Sequence, residues 1–371
     1  MIRMPWTDAT APNLTIEITD ECNISCRACY KRKGSGFRSL SEIDRDLDAA
    51  VKLRPLHTIT ISGGEPTLHP DLYRIIKMVK ARGRHVFLLT NGLLTDEKLL
   101  EQLRHAGLDS ILFHVDTGQS RADLPWRPTF ADVRKRLVEL AQKAARTGLD
   151  VSIAMTLYED VDEVLPACSQ LFFDSPDLTF LFLARGVDPR GLYAPNGPEA
   201  PTATGLPSSL EQVKTFYRQD YAIEPYAYVP ANTARQTVWI SYFVPIIYNG
   251  PRKTIVRIRS NILDTWLMWI PRLLSGRFVH KTRQQPGLTL LRTLMNCLST
   301  FRLGTLAALL WRLCSRNALL RHKMIVYDDG PSLTASGRMV RCQYCPTAIV
   351  REGKSVACCE ADFGLPGGEC P

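Results

Sequence analysis

The sequence predicts an α/β protein. Its first half should form six parallel strands with helical crossovers, either an open sheet or a partial (β/α)6 barrel. A basic helical insert and a small cysteine-rich, metal-binding unit should follow. Three observations lead there. Through the first 185 residues, apolar runs of period two alternate with amphipathic helical runs. The charge is concentrated in one later stretch. The 11 cysteines gather near the two ends, three between Cys22 and Cys29 and five beyond residue 340. At 371 residues and 45% hydrophobic, the chain can bury a large core, which excludes wholesale disorder and collagen-like repeats.

The elements follow in order. Leu14–Thr19 is a period-two run and reads as the first strand. Ser39 and Glu42 have the spacing of a capping box ahead of the helix Leu40–Leu53. Strand His57–Ser62, helix Asp71–Arg82, strand His85–Thr90 and helix Asp96–Ala106 continue the alternation. Strand Ser110–Asp116, helix Ala131–Thr147, strand Val151–Leu157, helix Val161–Phe172 and strand Leu178–Ala184 complete it. Sheets of this kind place their chemistry at the carboxyl ends of the strands.

Beyond Ala184 the pattern breaks. Gly186–Pro207 holds five Pro and four Gly and reads as a linker or lid. Leu210–Arg218 is expected as a further helix, and Tyr221–Tyr248 as extended structure. This gives four units: a core at 1–185, a loop and extended segment at 186–251, the basic insert at 252–323, and the cysteine-rich unit at 324–371.

Between Arg252 and Lys323 stand 14 Lys and Arg and one acid, Asp264, a local balance of +13. The rest of the chain carries 32 basic and 36 acidic side chains, or −4, against a total of +9. A mildly acidic body with one basic insert argues against nucleic acid as the partner. Within the insert, Ile262, Leu263, Trp266, Leu267, Trp269 and Ile270 recur at helical spacing, as do residues of Leu303–Trp311 between Arg302 and Arg312. An ordinary subdomain with a solvated basic face is one reading, and base rates favour core packing for many of these apolar residues. A segment lying on an anionic membrane is the other, since Trp and Leu on a basic helix are the interfacial pattern. Each Lys or Arg near such a surface contributes on the order of 1 kcal/mol. No apolar run reaches the ~20 residues of a membrane span. Met1–Pro12 lacks a signal-peptide core, so the expected location is cytoplasmic, with peripheral attachment to the inner membrane face as an addition.

Cys22-Asn-Ile-Ser-Cys26-Arg-Ala-Cys29 comes directly after the first strand. Three thiolates so spaced can ligate three irons of a cubane and leave the fourth open. A zinc knuckle would need a fourth ligand nearby, but the next cysteine is Cys168 and no His lies in the loop. The pattern resembles the radical S-adenosylmethionine (radical SAM) superfamily. Gly63-Gly64-Glu65-Pro66 after the second strand and Thr90-Asn91-Gly92 after the third fit the same resemblance, which covers about residues 13–185. Ala28 departs from the aromatic or His common before the third cysteine, and the adjacent Tyr30 is the residue expected to cover the cluster instead.

The resemblance implies a [4Fe-4S] cluster on Cys22, Cys26 and Cys29. S-adenosylmethionine (SAM) would be held by Gly63, Gly64, Glu65 and Pro66, with Glu65 accepting a bond from its ammonium and with Asn91 and Asp116 also at the cofactor. It further implies one-electron cleavage to a 5′-deoxyadenosyl radical and a reductant protein such as flavodoxin or ferredoxin. His114 and Asp116, two apart on a strand, share a face. His114 reads equally as a substrate contact or as a bonded interior His. Arg185 reads as a partner of the SAM carboxylate, of an anionic substrate, or of Asp188.

In the terminal unit, Cys342 and Cys345 form a knuckle ahead of a β-hairpin turning at Gly353. With Cys358 or Cys359 and with Cys370, they make a four-thiolate set for a second [4Fe-4S] cluster, or alternatively zinc. Cys168, Cys297 and Cys314 read as buried, inert thiols. The leading functional expectation is hydrogen abstraction from a lipid or lipid-linked molecule. Modification of a ribosomally made peptide, or a non-catalytic electron-transfer role, are the alternatives.

Overall fold

In the computed structural model, the described residues are 1–31, 34–187, 208–232, 237–280, 284–315, 317–333 and 339–361. Six strands, β1 (Asn13–Glu17), β2 (Thr58–Ser62), β3 (His85–Thr90), β4 (Ser110–His114), β5 (Asp150–Leu157) and β6 (Leu178–Arg185), lie side by side in sequence order and all parallel. Helices α1 (Leu40–Leu53), α2 (Leu72–Ala81), α3 (Glu97–Ala106), α4 (Phe130–Arg146) and α5 (Val161–Asp174) cross between them. Alternate side chains divide the work. Ile16, Ile59, Leu88, Ile111 and Ile153 are fully buried beneath the helices, together with Leu47, Ile76 and Leu103. The intervening positions face the other way, where Thr15, Thr60, Phe87, Leu112 and Phe180 line an internal cavity.

Local signals hold the helix ends. Ser39 and Glu42 form the expected reciprocal capping box on α1. The Asp96 carboxylate accepts from Leu99 N at 2.7 Å to open α3, which stops at Gly107 with φ of 109°.

The second half folds back onto this sheet. Helix α6 (Leu210–Tyr221) is followed by β7 (Ala227–Pro230), β8 (Thr237–Asn249) and β9 (Arg252–Ile255), then α7 (Ile262–Ser275), α8 (Pro286–Ser299) and α9 (Leu303–Leu313). Strand β10 (Leu319–Asp328) next runs antiparallel to β8 and parallel to β6, with Met324 opposite Phe180. The boundary expected at 323/324 therefore falls inside a strand. An unpaired β6 edge would expose a row of backbone groups, and β10 fills it while burying Ile325 and Tyr327 fully.

The C-terminal segment reaches the opposite edge. A hairpin of β11 (Ile349–Arg351) and β12 (Lys354–Val356) joins β1 in parallel, Ile349 opposite Thr15. Its turn places Glu352 and Gly353 at φ of 48° and 75°, the left-handed pair that a tight hairpin turn requires. Buried charge fastens the hairpin: Glu17 at the end of β1 pairs with both Lys31 and Arg351. Arg54 donates to Cys345 O at 3.2 Å and Ser355 Oγ at 3.0 Å. The cysteine-rich unit is thus the far edge of the main sheet. No helix among the described residues is long and apolar enough to cross a membrane.

Candidate active site

The three sequence motifs meet at the carboxyl ends of β1, β2 and β3. The cysteine loop after β1 is bound to the Gly63–Glu65 segment through Gly64 N to Thr19 O at 2.8 Å and Glu65 N to Glu21 O at 2.7 Å. A Cβ on Gly64 would stand 2.1 Å from Glu21 O, and one on Gly63, at φ of 144°, 2.4 Å from Thr19 O. These glycines let two backbones meet, so they serve the cysteine loop as well as any ligand beside it.

The Glu65 carboxylate accepts from Thr67 N at 3.0 Å, Thr90 Oγ1 at 2.7 Å and Asn91 N at 2.7 Å. It clamps the second motif to the third. Oε1 takes the Thr67 and Thr90 bonds, Oε2 accepts only from Asn91 N among the described residues, and Glu65 also lines the cavity. Burial raises its pKa, and those donors oppose the rise. Asn91 Nδ2 donates to Asn23 Oδ1 at 2.7 Å inside the cysteine loop, and the same side chain bonds Cys22.

Cys22, Cys26 and Cys29 are free thiols facing the cavity. Burial pushes Cys22 and Cys26 up, and the Asp116 carboxylate adds to the rise at Cys26. A bound cation is what reverses such a shift. Among the described residues no three His, Cys, Asp or Glu side chains form a ready site for a single ion. Three thiols on one loop, open toward a cavity and without a nearby fourth ligand, fit an iron–sulfur cluster with one free iron.

Residues 16–167, which hold all of this, match the family model described as the radical SAM superfamily. The segment that carries the three motifs is a radical SAM domain. Among its curated relatives, the chain is 37% identical over 108 residues to a probable GTP 3′,8-cyclase of Pyrococcus horikoshii, covering 28% of this chain and 34% of that one. It is 30% identical over 157 residues to a 7,8-dihydro-6-hydroxymethylpterin dimethyltransferase of Methanocaldococcus jannaschii, covering 40% and 30%. The chain therefore spans about a third of the length of these relatives. Among solved structures, anSMEcpe with bound AdoMet aligns over 72% of this chain and 67% of that one, at 16% identity and a TM-score of 0.44. SuiB of Streptococcus suis bound to S-adenosylmethionine aligns over 57% and 48%, at 14% identity and a TM-score of 0.44.

The cavity beside this radical SAM domain measures about 880 Å³. His114 lines it, while Asp116 is fully buried behind. Their shared face is confirmed by the bond between His114 Nε2 and Asp116 Oδ2 at 2.8 Å; Thr156 Oγ1 is 3.1 Å from the same nitrogen. Asp116 thus orients the imidazole that the cavity sees. Arg185 also lines the cavity, but its guanidinium is bound to Asp329 O at 2.6 Å and Pro331 O at 3.0 Å. Asp188, its expected alternative partner, lies outside the described residues.

The second cysteine group opens onto the same cavity. Cys342, Cys345, Cys358 and Cys359 all line it, and Cys370 lies outside the described residues. Burial is the first cause of the raised pKa of Cys342, Cys345 and Cys358, and their mutual repulsion adds to it at Cys342 and Cys358. Tyr30 stands between the two groups: its hydroxyl bonds Ser62 and feels both Cys29 and Cys358. Of the three cysteines expected to be buried, Cys168 and Cys297 are, but Cys314 is exposed, because it caps the end of α9 at the surface.

Two residues escaped the sequence reading. Tyr158 packs so close to Gly118 and Gly186 that a Cβ on either would approach it within 2.6 Å, and Arg27 lies over its ring. Nothing local marks it. Asp328 puts a carboxyl into the cavity that burial, then Asp329, pushes up to about 6. An acid at the end of a parallel strand was its available signal.

Proposed function

We propose that this protein cleaves SAM reductively and removes hydrogen from a long-chain lipid or lipid-linked substrate, which it takes from an anionic membrane surface. One observation carries the reading: a single cavity runs from the Cys22–Cys29 thiols and the Gly63–Glu65 backbone to the underside of α7 and α8. Its walls there are apolar, including Phe180, Phe182, Leu267, Met268, Phe278 and Leu291. The volume is that of a site enclosing most of a ligand.

Cys22, Cys26 and Cys29 would hold the [4Fe-4S] cluster. When bound, cluster and SAM supply a 5′-deoxyadenosyl radical after one electron arrives from a reductant protein such as flavodoxin or ferredoxin. The Gly63–Glu65 backbone, with Pro66 fixing the turn, would hold the methionine end of SAM. Asn91 braces the cysteine loop through Asn23. His114, held by Asp116, presents a fixed hydrogen-bonding nitrogen to the cavity. Phe87, Leu89, Leu112 and Phe182 exclude water, which protects a reactive radical and favours an apolar substrate. Cys342, Cys345, one of Cys358 and Cys359, and Cys370 would hold the second metal site, a [4Fe-4S] cluster in preference to zinc.

The outer surface of the insert supports the membrane part. Trp266, Leu273, Leu274, Phe301 and Trp311 are exposed on helices flanked by arginines. Anaerobically reconstituted protein should yield 5′-deoxyadenosine from SAM and dithionite, and Cys26→Ala should abolish it; product formation at the wild-type rate in that variant refutes the chemistry. Lipid extracts of cells with and without the protein should differ by a species altered at a carbon–hydrogen bond. An unchanged lipid profile refutes the substrate class.

A further inference from the structure

At the end of the cavity away from the cysteine loop, the apolar wall is interrupted by a cation. Arg292, on α8, lies over the rings of Phe243 at 4.0 Å and Tyr226 at 4.7 Å, both also cavity walls. Its Nε is buried and has no hydrogen-bond partner among the described residues. The facing carboxylate oxygen, of Asp264, is 3.9 Å away, beyond hydrogen-bond reach. Asp264 is engaged from behind, where its Oδ2 accepts from Asn261 N at 3.0 Å and Asn296 Nδ2 at 3.2 Å.

Neutral polar groups sit beside this cation. Thr289 Oγ1 and His322 Nδ1, 3.0 Å apart, both belong to residues lining the cavity. Burial first, and then Arg292, Arg321 and Lys323, holds His322 down at about 4, so its ring is neutral at pH 7. A guanidinium presents five donors in a fork that suits planar or tetrahedral oxyanions, and its aromatic supports pre-order it.

The position fits the lipid reading. The parallel strands carry the thiols at their carboxyl ends, where Asp328 closes β10. His322 lies six residues earlier on that strand, about 20 Å away at the rise of a β-strand. A chain lying along the cavity would have one end near the cluster and the other near Arg292.

We propose that Arg292, backed by Phe243 and Tyr226 and flanked by Thr289 and His322, binds a phosphate or carboxylate group, positioning the anionic end of a substrate whose apolar chain runs toward the cysteine loop. The site rests on the cavity being the substrate cavity, as proposed above, and the experiment separates the two ideas.

Binding to the folded, full-length protein is measured by calorimetry for dodecyl phosphate below its critical micelle concentration, for dodecanol and for inorganic phosphate. Wild type should bind dodecyl phosphate at least about tenfold more tightly than dodecanol, the scale of one charge-assisted hydrogen bond. Arg292→Met should remove that preference and leave dodecanol binding unchanged. Because Arg292→Met strands a buried Asp264, the double variant Asp264→Asn/Arg292→Gln, which removes both charges, should give the same result. A preference that survives in either variant overturns the site, as does equal binding of dodecyl phosphate and dodecanol to wild type. Inorganic phosphate bound as tightly as dodecyl phosphate, and lost in the variants, upholds the oxyanion site with free phosphate as its source. If dodecanol fails to bind wild type while phosphate binding depends on Arg292, the site stands and the lipid reading falls.

Discussion

The helices of the barrel and the helices of the insert are built from similar residues but bury different ones. On α2, the buried positions are Leu72, Ile75, Ile76 and Val79, all pressed on the sheet. On α8, they are Thr289, Thr293, Asn296 and Cys297, while Leu288, Leu291 and Leu298 are exposed. On α7 the one buried residue is Asp264, and Leu273 and Leu274 stand 76% and 84% exposed. The barrel helices bury oil against a sheet; on α7 and α8 the most buried positions are polar or Cys, while the apolar residues either line the cavity, as Leu267, Met268 and Leu291 do, or stand outward, as Leu273, Leu274 and Leu298 do. Apolar periodicity reports that a helix has an apolar face, but it does not say what covers that face. Core packing, favoured by base rates for the insert, holds for Leu309, with Leu290, Leu294 and Leu313 packed against its cluster, but not for Trp266, Leu273, Leu274 and Trp311, which are exposed. The exposed apolar residues of α7 and α9, with arginines near them in sequence, are the feature on which the proposed membrane contact rests.

This contrast can be broken at several points. The largest effect should be on stability. Ile76→Ala, at a fully buried position, should cost about 2–5 kcal/mol in denaturant unfolding, whereas Leu274→Ala should stay within about 0.5 kcal/mol. Comparable losses would mean that the outer face of α7 is covered after all. A smaller effect should appear at membranes. The double variant Leu273→Ser/Leu274→Ser should lower flotation with anionic vesicles by about tenfold, the value of burying part of two leucines, while SAM cleavage without vesicles stays unchanged. Undiminished flotation would remove those helices from the membrane contact. The smallest effect should come from salt. Raising ionic strength from low to ~0.15 M should weaken vesicle binding a few-fold by screening the arginines. Insensitivity to salt would leave the apolar residues as the sole anchor.

Some local signals stand in the structure as the sequence predicts them. The Ser39–Glu42 capping box and the hairpin at Gly353 each depend on residues within four positions of one another. The Cys22–Cys29 spacing is local in the same way, whereas the crossing of Gly63 and Gly64 over Thr19 and Glu21 joins the ends of two successive strands. The clamping role of Glu65 was not legible, because its partners Thr90 and Asn91 arrive from the next strand. Nor could Arg292 be distinguished from the other basic residues of the insert.

The sequence by itself determined the parallel barrel, the radical SAM motifs at its strand ends and the unequal division of charge, since hydrophobic period, backbone chemistry and net charge are properties of contiguous residues. Only the tertiary structure decided that β10 would occupy the β6 edge and the C-terminal hairpin the β1 edge. It likewise decided that both cysteine groups would line one cavity and that α7 and α8 would help to wall it. Those outcomes depend on edges that need partners and faces that need cover, and the residues that satisfy them lie hundreds of positions apart.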